Sequence, residues 1–527
     1  MQIQVASSAL PEATFENGPD ASNPGTPSRI LSPSPLPDDG SESGTGPSCR
    51  QTAPPSQIRP AEPSIQPDPV EQGGPNTGTH LPSFQVTESF LEALRNATLE
   101  NSGMELADIA RLCKPRPNSI DLLDSSNRHL LKSIRHFLNN ADASRDHYEN
   151  TRRIDMLTYP DDPFLSFNQV KKCVESLSGV VPIRHDMCLN SCLAFTGPYA
   201  ELDTCPICST RRHDPKTNKP YRHFTTIPIG PVIQSFYGSE LTAERMHYLE
   251  RRLTELSDYA KTNGQLPKYD DTACSKDLLD AWEARRFTKD DIALQLSIDG
   301  AQLFQDKESN CWFFIWIIHN LPPDLRYKKA FVIPGAIVPG PNKPKELDSY
   351  LFPSLYHVAA LQHEGLKIWD AFLKHEIPRS IPEIIFATAD GPGSAAMSGQ
   401  VGHSGKYGCR LYCEMPSRRR DGDGHYFPVM KKPRNYNVQG ASHPDIHISD
   451  LAQFRRNVSQ RYHSNLRYLM NAPNKTQYKV RRLQTGLCKQ TLLSGLPSQA
   501  IGVPKIFTMD IMHLSVLNDP DLLLGLW

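Results

Sequence analysis

Residues 293–303 read ALQLSIDGAQL. Ala293, Leu294, Leu296 and Ile298 interleave with Gln295 and Ser297, the period-two pattern of a strand with a buried face, and Gly300 breaks the pattern just after Asp299. The apolar residues fix the backbone from which that carboxylate hangs. Two more apolar runs follow at once. CWFFIWII (311–318) is too hydrophobic for anything but an interior strand or a short buried helix, and FVIPGAIVP (331–339) is β-branched and punctuated by proline; both read as strands. From Tyr350 to Phe372, the residues Leu351, Leu355, Val358, Ala359, Leu361, Leu366 and Trp369 recur at near-helical spacing and predict a helix. The next run, EIIFATAD (383–390), predicts a strand again, and it too ends in an acid, Asp390, ahead of Gly391-Pro392-Gly393.

The order is strand, strand, strand, helix, strand, with an Asp closing the first and the fourth. It matches an α/β class of ribonuclease-H-like mixed sheet, in which neighbouring first and fourth strands bring two carboxylates together to hold divalent metal. Phosphoryl transfer on DNA uses two divalent ions roughly 3.5–4 Å apart, and carboxylates suit Mg²⁺ or Mn²⁺ because hard cations prefer oxygen. Taken singly, each Asp is equally well read as turn chemistry at a strand end, where Asp-Gly is common. Together, in this order, they favour a catalytic metal site. Gly391-Pro392-Gly393 faintly imitates a dinucleotide fingerprint, but it stands late in the chain, behind an Asp and without a βαβ unit, so that reading is dropped.

The strongest local spacing lies earlier. Cys188-x3-Cys192 is followed after twelve residues by Cys205-Pro206-Ile207-Cys208. Four thiolates in two close pairs suit a closed, structural, tetrahedral Zn²⁺ site; the alternative is four buried free cysteines. Arg211, Arg212, His213, Lys216, Lys219 and Arg222 follow, interleaved with Tyr221 and Phe224, and read either as a DNA-backbone contact or as an ordinary charged loop. A second pair, Cys409-x3-Cys413, precedes His425 and His443, donors suited to zinc, with His425 the preferred third ligand. Arg418, Arg419 and Arg420, then Lys431, Lys432 and Arg434, read as a bipartite nuclear signal, a DNA-facing loop or a solvated loop.

Around these motifs the 527 residues divide into a Pro/Ser/Gly-rich tail expected to be disordered (1–83), a helical region (84–180), the four-Cys module (181–225), a helical connector (226–288) and the core (289–527). Arg111, Lys114, Arg116, Arg128, Lys132 and Arg135 decorate the helical region as phosphate contacts or as a solvated face. A net charge of -1, from 57 basic and 58 acidic residues, advertises no global affinity for nucleic acid, so any basic surface must be local. No apolar stretch is long enough to cross a membrane and no leader pattern opens the chain, while twelve cysteines suit reduced thiols and metal clusters; the expected setting is intracellular. The chain stops inside an apolar run, DLLLGLW, without a cap or charge, which reads as truncation.

SIDGAQL, LRYKKAFVIPGAIVPGPNKPKELDSYLFPSLYHVAALQ, ATADGPG and MDIMHLSVLNDPDLLLGLW resemble the transposases of CACTA (En/Spm-like) DNA transposons, particularly fungal relatives, from about Ser144 to the last residue. The resemblance implies a DDE-type acid triad, with Asp299 bridging two ions and Asp390 holding one. Asp510, in a D-x-M-H block completed by Met512 and His513, becomes the third acid, with Asp519 and Asp521 as runners-up. It also implies a Cys/His insertion between the second and third acids, transposon ends and target DNA as partners, a homo-oligomer, and a nuclear location. A catalytically inactive, DNA- or protein-binding remnant is the rival expectation, and a ribonuclease or resolvase on the same core is a third.

Overall fold

The apolar runs on either side of Asp299 form the middle of a six-stranded sheet. The computed structural model describes residues 81–115, 124–302 and 310–510. The strands are β1 (Ile183–Met187), β2 (Arg222–Thr226), β3 (Ile292–Gln302), β4 (Asn310–Ile318), β5 (Ile333–Pro339) and, after a small separate hairpin of β6 (Leu366–Asp370) and β7 (His375–Ser380), β8 (Pro382–Ala389). Their spatial order is β1-β2-β5-β4-β3-β8. β3 pairs antiparallel with β4, Ile298 facing Phe314, and parallel with β8, Ile298 facing Ala389.

A parallel neighbour needs a long crossover, and the helix Leu347–Glu364 together with the β6–β7 hairpin supplies it. Fourteen of its residues are buried, among them Tyr350, Leu351, Leu355, Val358 and Leu361, because it lies between the sheet and the helix Pro82–Arg95. Ser354 Oγ donates to the Gly335 carbonyl, Gln362 Nε2 donates to Pro382 O at 2.9 Å, and Phe90 meets Phe352 with ring centroids 5.2 Å apart. Gly335 has to lack a side chain here, since a Cβ would stand 2.5 Å from Trp316 Nε1.

β3 and β8 begin buried on both faces. Leu294, Leu296, Ile298 and Ile384 join the main core, while Ala293 and Ile385 join a second cluster with Leu249, Leu253, Leu278 and Phe287. The helices Tyr248–Asn263 and Lys276–Glu283 carry that second cluster. Such two-sided burial is why the sequence at these positions is nearly continuously apolar. Further along, the second face turns polar at Gln295, Ser297 and Thr388.

Three sequence expectations change. The helix expected to reach Phe372 ends at Glu364, because Gly365 adopts φ 80; Leu366 and Trp369 belong to β6, whose Asp370 pairs with His247 Nε2 at 2.7 Å. The four-Cys module is not set apart from the core sheet: β1 and β2 flank it, and β2 pairs with β5 through Thr225–Ile337 and Thr226–Ala336. Leu81 is already buried and Pro82 starts a helix, so the last residues assigned to the N-terminal tail are packed. The remainder of that tail, together with Met512, His513, Asp519, Asp521 and the closing DLLLGLW, lies outside the described residues.

Candidate functional site

Asp299 and Asp390 each follow one member of the paired positions Ile298 and Ala389 on adjacent parallel strands. Side chains two apart on a strand share a face, so Asp299 follows Ser297 and Asp390 follows Thr388 on the same side. Those two hydroxyls meet across the strands at 3.1 Å, and Gln295 Nε2 reaches Thr388 Oγ1 at 3.1 Å. The acids are therefore the next two positions along a polar lane whose members already touch. Asp299 is exposed, and its Oδ1 accepts from the Gly300 N–H at 2.7 Å. Asp390 caps the helix Gly391–Ser398, with Oδ1 accepting from the Gly393 N–H at 2.7 Å. The glycine-rich run thus serves a helix start: a Cβ on Gly393 would stand 2.8 Å from Asp390 Oδ1.

Asp510 arrives by a third parallel segment. The Ala387 N–H donates to Ile506 O at 2.8 Å, the Thr508 N–H donates to Ala387 O at 3.3 Å, and Ala387 bridges Phe507 in parallel. Asp390 lies three residues beyond Ala387 and Asp510 three beyond Phe507, so all three acids stand at corresponding ends of neighbouring segments. The three carboxylates are not gathered within 4.8 Å of one another, a spacing that only the four-Cys group meets among the described residues.

Arg410 is a neighbour that the sequence did not single out. A Cβ on Gly391 would lie 3.5 Å from its Nη2, and that nitrogen is buried with no hydrogen-bond partner. Burial holds the Arg410 guanidinium below its usual pKa, opposed by the negative charge of Asp390. Nothing in the local pattern around Arg410 marks it, because its proximity to Asp390 is purely tertiary.

The thiol cluster is the tightest donor set. Cys188, Cys192, Cys205 and Cys208 place all four sulfurs within 4.8 Å of one another, and Cys188 Sγ lies 3.4 Å from Cys208 Sγ. Tetrahedral zinc with Zn–S of about 2.3 Å requires sulfurs about 3.8 Å apart, so this all-sulfur group fits that ion. Burial raises the Cys208 thiol, but hydrogen bonds with the Thr210 hydroxyl and amide and with Asn190 outweigh it and bring the pKa down to about 5. Burial pushes Cys192 strongly upward, with the neighbouring sulfurs adding to it. One thiolate is thus already favoured, and a cation is what would let the others ionise.

The cluster is braced from the core: the Glu346 N–H donates to Cys192 O at 2.8 Å and the Ala194 N–H to Ser349 Oγ at 2.9 Å. The basic strip after it is partly consumed by the same bracing. Arg212 pairs with Asp186 at 2.7 Å, and Arg222 donates to the carbonyls of Leu189, Pro339 and Gly340, whereas Arg211, Lys216 and Lys219 are exposed. Farther upstream, Arg111 donates to the Ser176 and Leu177 carbonyls and Lys132 bridges Asp155 and Asp162.

The second thiol pair is joined only in part. Cys409 and Cys413 hydrogen-bond to each other, which brings Cys409 down to about 6 against the effect of burial and raises Cys413. His425 is exposed and is not gathered with them, while His443 has a buried Nε2 without a partner. Arg418 is buried and donates to the carbonyls of Ala441, His443, Met430 and Pro444, so it organises this insertion from within; Arg420, Lys431, Lys432 and Arg434 are exposed.

No helix among the described residues is long and apolar enough to cross a membrane. No curated protein matches the chain. Residues 265–439, the span that carries β3, β4, β5, β8, both strand-end acids and the second thiol pair, match Transposase family tnp2, which supports a transposase of a DNA transposon family.

Proposed function

We propose that the chain is a CACTA-class DNA transposase built on a ribonuclease-H-like core, with Asp299, Asp390 and Asp510 as its acid triad. The observation that carries this reading is the parallel pairing of β3 with β8, Ile298 facing Ala389, which sets two acids at the same level of neighbouring strands. The order β5-β4-β3-β8, extended beyond β8 by the Phe507 bridge, supports it.

The donor set is all oxygen and suits Mg²⁺ or Mn²⁺. Bound ions of this kind activate an attacking oxygen and stabilise a leaving one. Asp299 would be shared between two ions; Asp390, on the middle one of the three segments, would hold one, its Oδ1 kept oriented by the Gly393 N–H. The Gln295, Ser297 and Thr388 lane below restrains both strand ends. In the reaction, water attacks a phosphodiester at the transposon end, releasing a 3′-hydroxyl. That hydroxyl then attacks a target phosphodiester, forming one P–O bond as another breaks. The four-Cys cluster would hold a structural Zn²⁺ that fixes the sheet edge, and Cys409 and Cys413 would contribute to a second. On this reading the protein would act in the nucleus, as a homo-oligomer on transposon ends and target DNA.

Calorimetry of Mn²⁺ binding to the zinc-loaded full chain tests the acids. Asp299→Asn and Asp390→Asn are each expected to weaken Mn²⁺ at least tenfold and to abolish Mn²⁺-dependent nicking of plasmid DNA. Mn²⁺ binding and nicking indifferent to both substitutions would refute the assignment.

A further inference from the structure

The chain is nearly neutral overall, yet its charges are not evenly spread. Residues 451–509 contain ten Lys and Arg and no Asp or Glu. With 58 acids in 527 residues, a stretch of that length would carry about six. Its centre is a helical hairpin, Val458–Met470 followed by Lys475–Thr485.

The first helix buries Tyr462, Leu466, Leu469 and Met470. The second buries only Thr485 fully, with Tyr478 and Arg481 half-buried, so nearly its whole circumference faces solvent. A helix so exposed is short of the apolar stripe that normally holds one in place. It is held instead by specific ties. Asn474 caps it through the Gln477 N–H at 2.9 Å, Gly486 ends it at φ 71, and Tyr478 donates to Cys488 O at 3.0 Å. Arg481 donates to Tyr468 O at 2.6 Å and lies 4.4 Å from the centroid of the Tyr468 ring.

What these ties present is positive charge. Arg455, Arg456, Arg467, Lys475 and Lys479 are all exposed, and none forms an ion pair among the described residues. By contrast Arg461, half-buried, is spent on the Tyr412 carbonyl and Glu414, and Lys489 on Glu346 and Asp348. The five exposed cations therefore keep their charge unpaired by any carboxylate among the described residues.

The hairpin is also tied to the acidic site. The Val401 N–H donates to Gly486 O at 2.9 Å and Gln400 bridges Leu487, which joins the end of the second helix to the residues just after the helix Gly391–Ser398. That eight-residue helix begins at Asp390 and spans about 12 Å. Along a DNA strand this is about three to four nucleotides, at roughly 3.4 Å each.

We infer that the Val458–Thr485 hairpin, with the turn that precedes it, is a docking surface for the phosphate backbone of duplex DNA, contacting it through Arg455, Arg456, Arg467, Lys475 and Lys479. It rests on the DNA-transposase reading and adds the surface on which the duplex lies. Contacts of this type position DNA without reading its sequence.

The test is binding of the full, zinc-loaded chain to a 40-base-pair duplex of arbitrary sequence in Ca²⁺, over a range of salt. Each phosphate contact contributes about 0.9 to the slope of log K against log salt. Changing all five residues to Gln is expected to reduce the slope by about 4, whereas Gln at Lys261, Lys268, Lys276, Lys289 and Lys374 leaves it unchanged. Arg455→Lys, Arg456→Lys and Arg467→Lys together keep the charge and should keep the slope. Because the five side chains are exposed, the thermal midpoint reports directly that the fold is retained.

A slope that falls by less than about 1 in the folded five-fold variant overturns the inference, as does a change seen only with duplex RNA. If that variant binds DNA normally while Asp299-dependent nicking persists, only the docking surface is refuted. If the unaltered chain shows no salt-dependent DNA binding, the docking surface and the DNA-transposase reading fail together.

Discussion

Glu383 gives the sharpest prediction, because it ties the segment carrying Asp510 to the sheet. It is 1% exposed on β8, where its carboxylate accepts from the Ser498 hydroxyl and from the Ala500 N–H at 3.0 Å. Burial is the main influence and raises its pKa from 4.5 to about 7, with the two hydrogen bonds opposing it and Asp291 adding to it. When residues 498–508 lift away, Glu383 meets water and returns to its ordinary value. The closed state therefore binds the proton more tightly than the open one. Closing is favoured in full below pH 4.5, and that contribution is lost as pH rises toward 7. A difference of about 2.5 in pKa, at about 1.4 kcal/mol for each, makes the whole loss about 3.5 kcal/mol, most of it between pH 4.5 and 7.5.

Amide hydrogen exchange on peptides spanning 498–508, corrected for intrinsic rates, reads the opening free energy directly. It should fall by about 3 kcal/mol between pH 4.5 and 7.5 in the unaltered protein, and Glu383→Gln should remove that pH-dependent part. Gln also loses one of the two acceptors, so its opening free energy shifts by a constant; the diagnostic is the slope. A difference between the two proteins that varies by less than about 1 kcal/mol over this range would refute the reasoning.

Two further outcomes bear on the site. Elemental analysis of the purified chain should find zinc that Cys192→Ser removes from the four-Cys site, with faster exchange along β1 and β2; no zinc in the unaltered chain would leave the cluster as four free thiols, three of them buried. Arg410→Ala should slow Mn²⁺-dependent DNA cleavage about 10- to 100-fold, the worth of one hydrogen bond to a charged group, with only a small change in the thermal midpoint, since Nη1 makes one long bond to the Val401 carbonyl and Nη2 has no partner among the described residues. Full cleavage by Arg410→Ala would mean that the guanidinium does not reach the scissile strand.

How much of this was legible in the sequence depends on which force fixes each part. β3, β4, β5 and β8 could be read because burial on one or both faces leaves an apolar run that few other structures tolerate. Asp299 and Asp390 stood out because each interrupts such a run at its end. The thiol cluster was legible from spacing alone. By contrast β1 (IRHDM) and β2 (RHFTT) are short and polar, β2 held by pairing with β5 and β1 by pairing with β2, so nothing local marked them as part of the main sheet. In β6, Leu366 and Trp369 fit a helical stripe as well as a strand, and only Gly365 decides. The basic hairpin was hidden by a whole-chain charge near zero, and Arg410 by a contact that exists only in three dimensions.

The same division runs through the acidic site. Asp299 and Asp390 are placed by two long strands, with seven paired positions between them and a core on each face. Asp510 is carried by a segment that meets β8 through a single bridge at Phe507 and is also held by the Glu383 carboxylate, the Lys505–Asp277 pair and the burial of Val503, Ile506 and Phe507. A metal site needs all its ligands at once, so its assembly is limited by the member with the weakest support. On the proposed reading, the first two acids stand on long strands and residues 498–510 bring the third beside them. Because burial raises Glu383 to about 7, the docking of that segment responds to pH near neutrality. Mn²⁺ affinity should accordingly contain a component that weakens above pH 7 in the unaltered chain and is absent in Glu383→Gln, although carboxylate ligands alone would bind the ion no less tightly as pH rises. If both proteins gain affinity equally with pH, Asp510 is either held independently of Glu383 or is not a ligand.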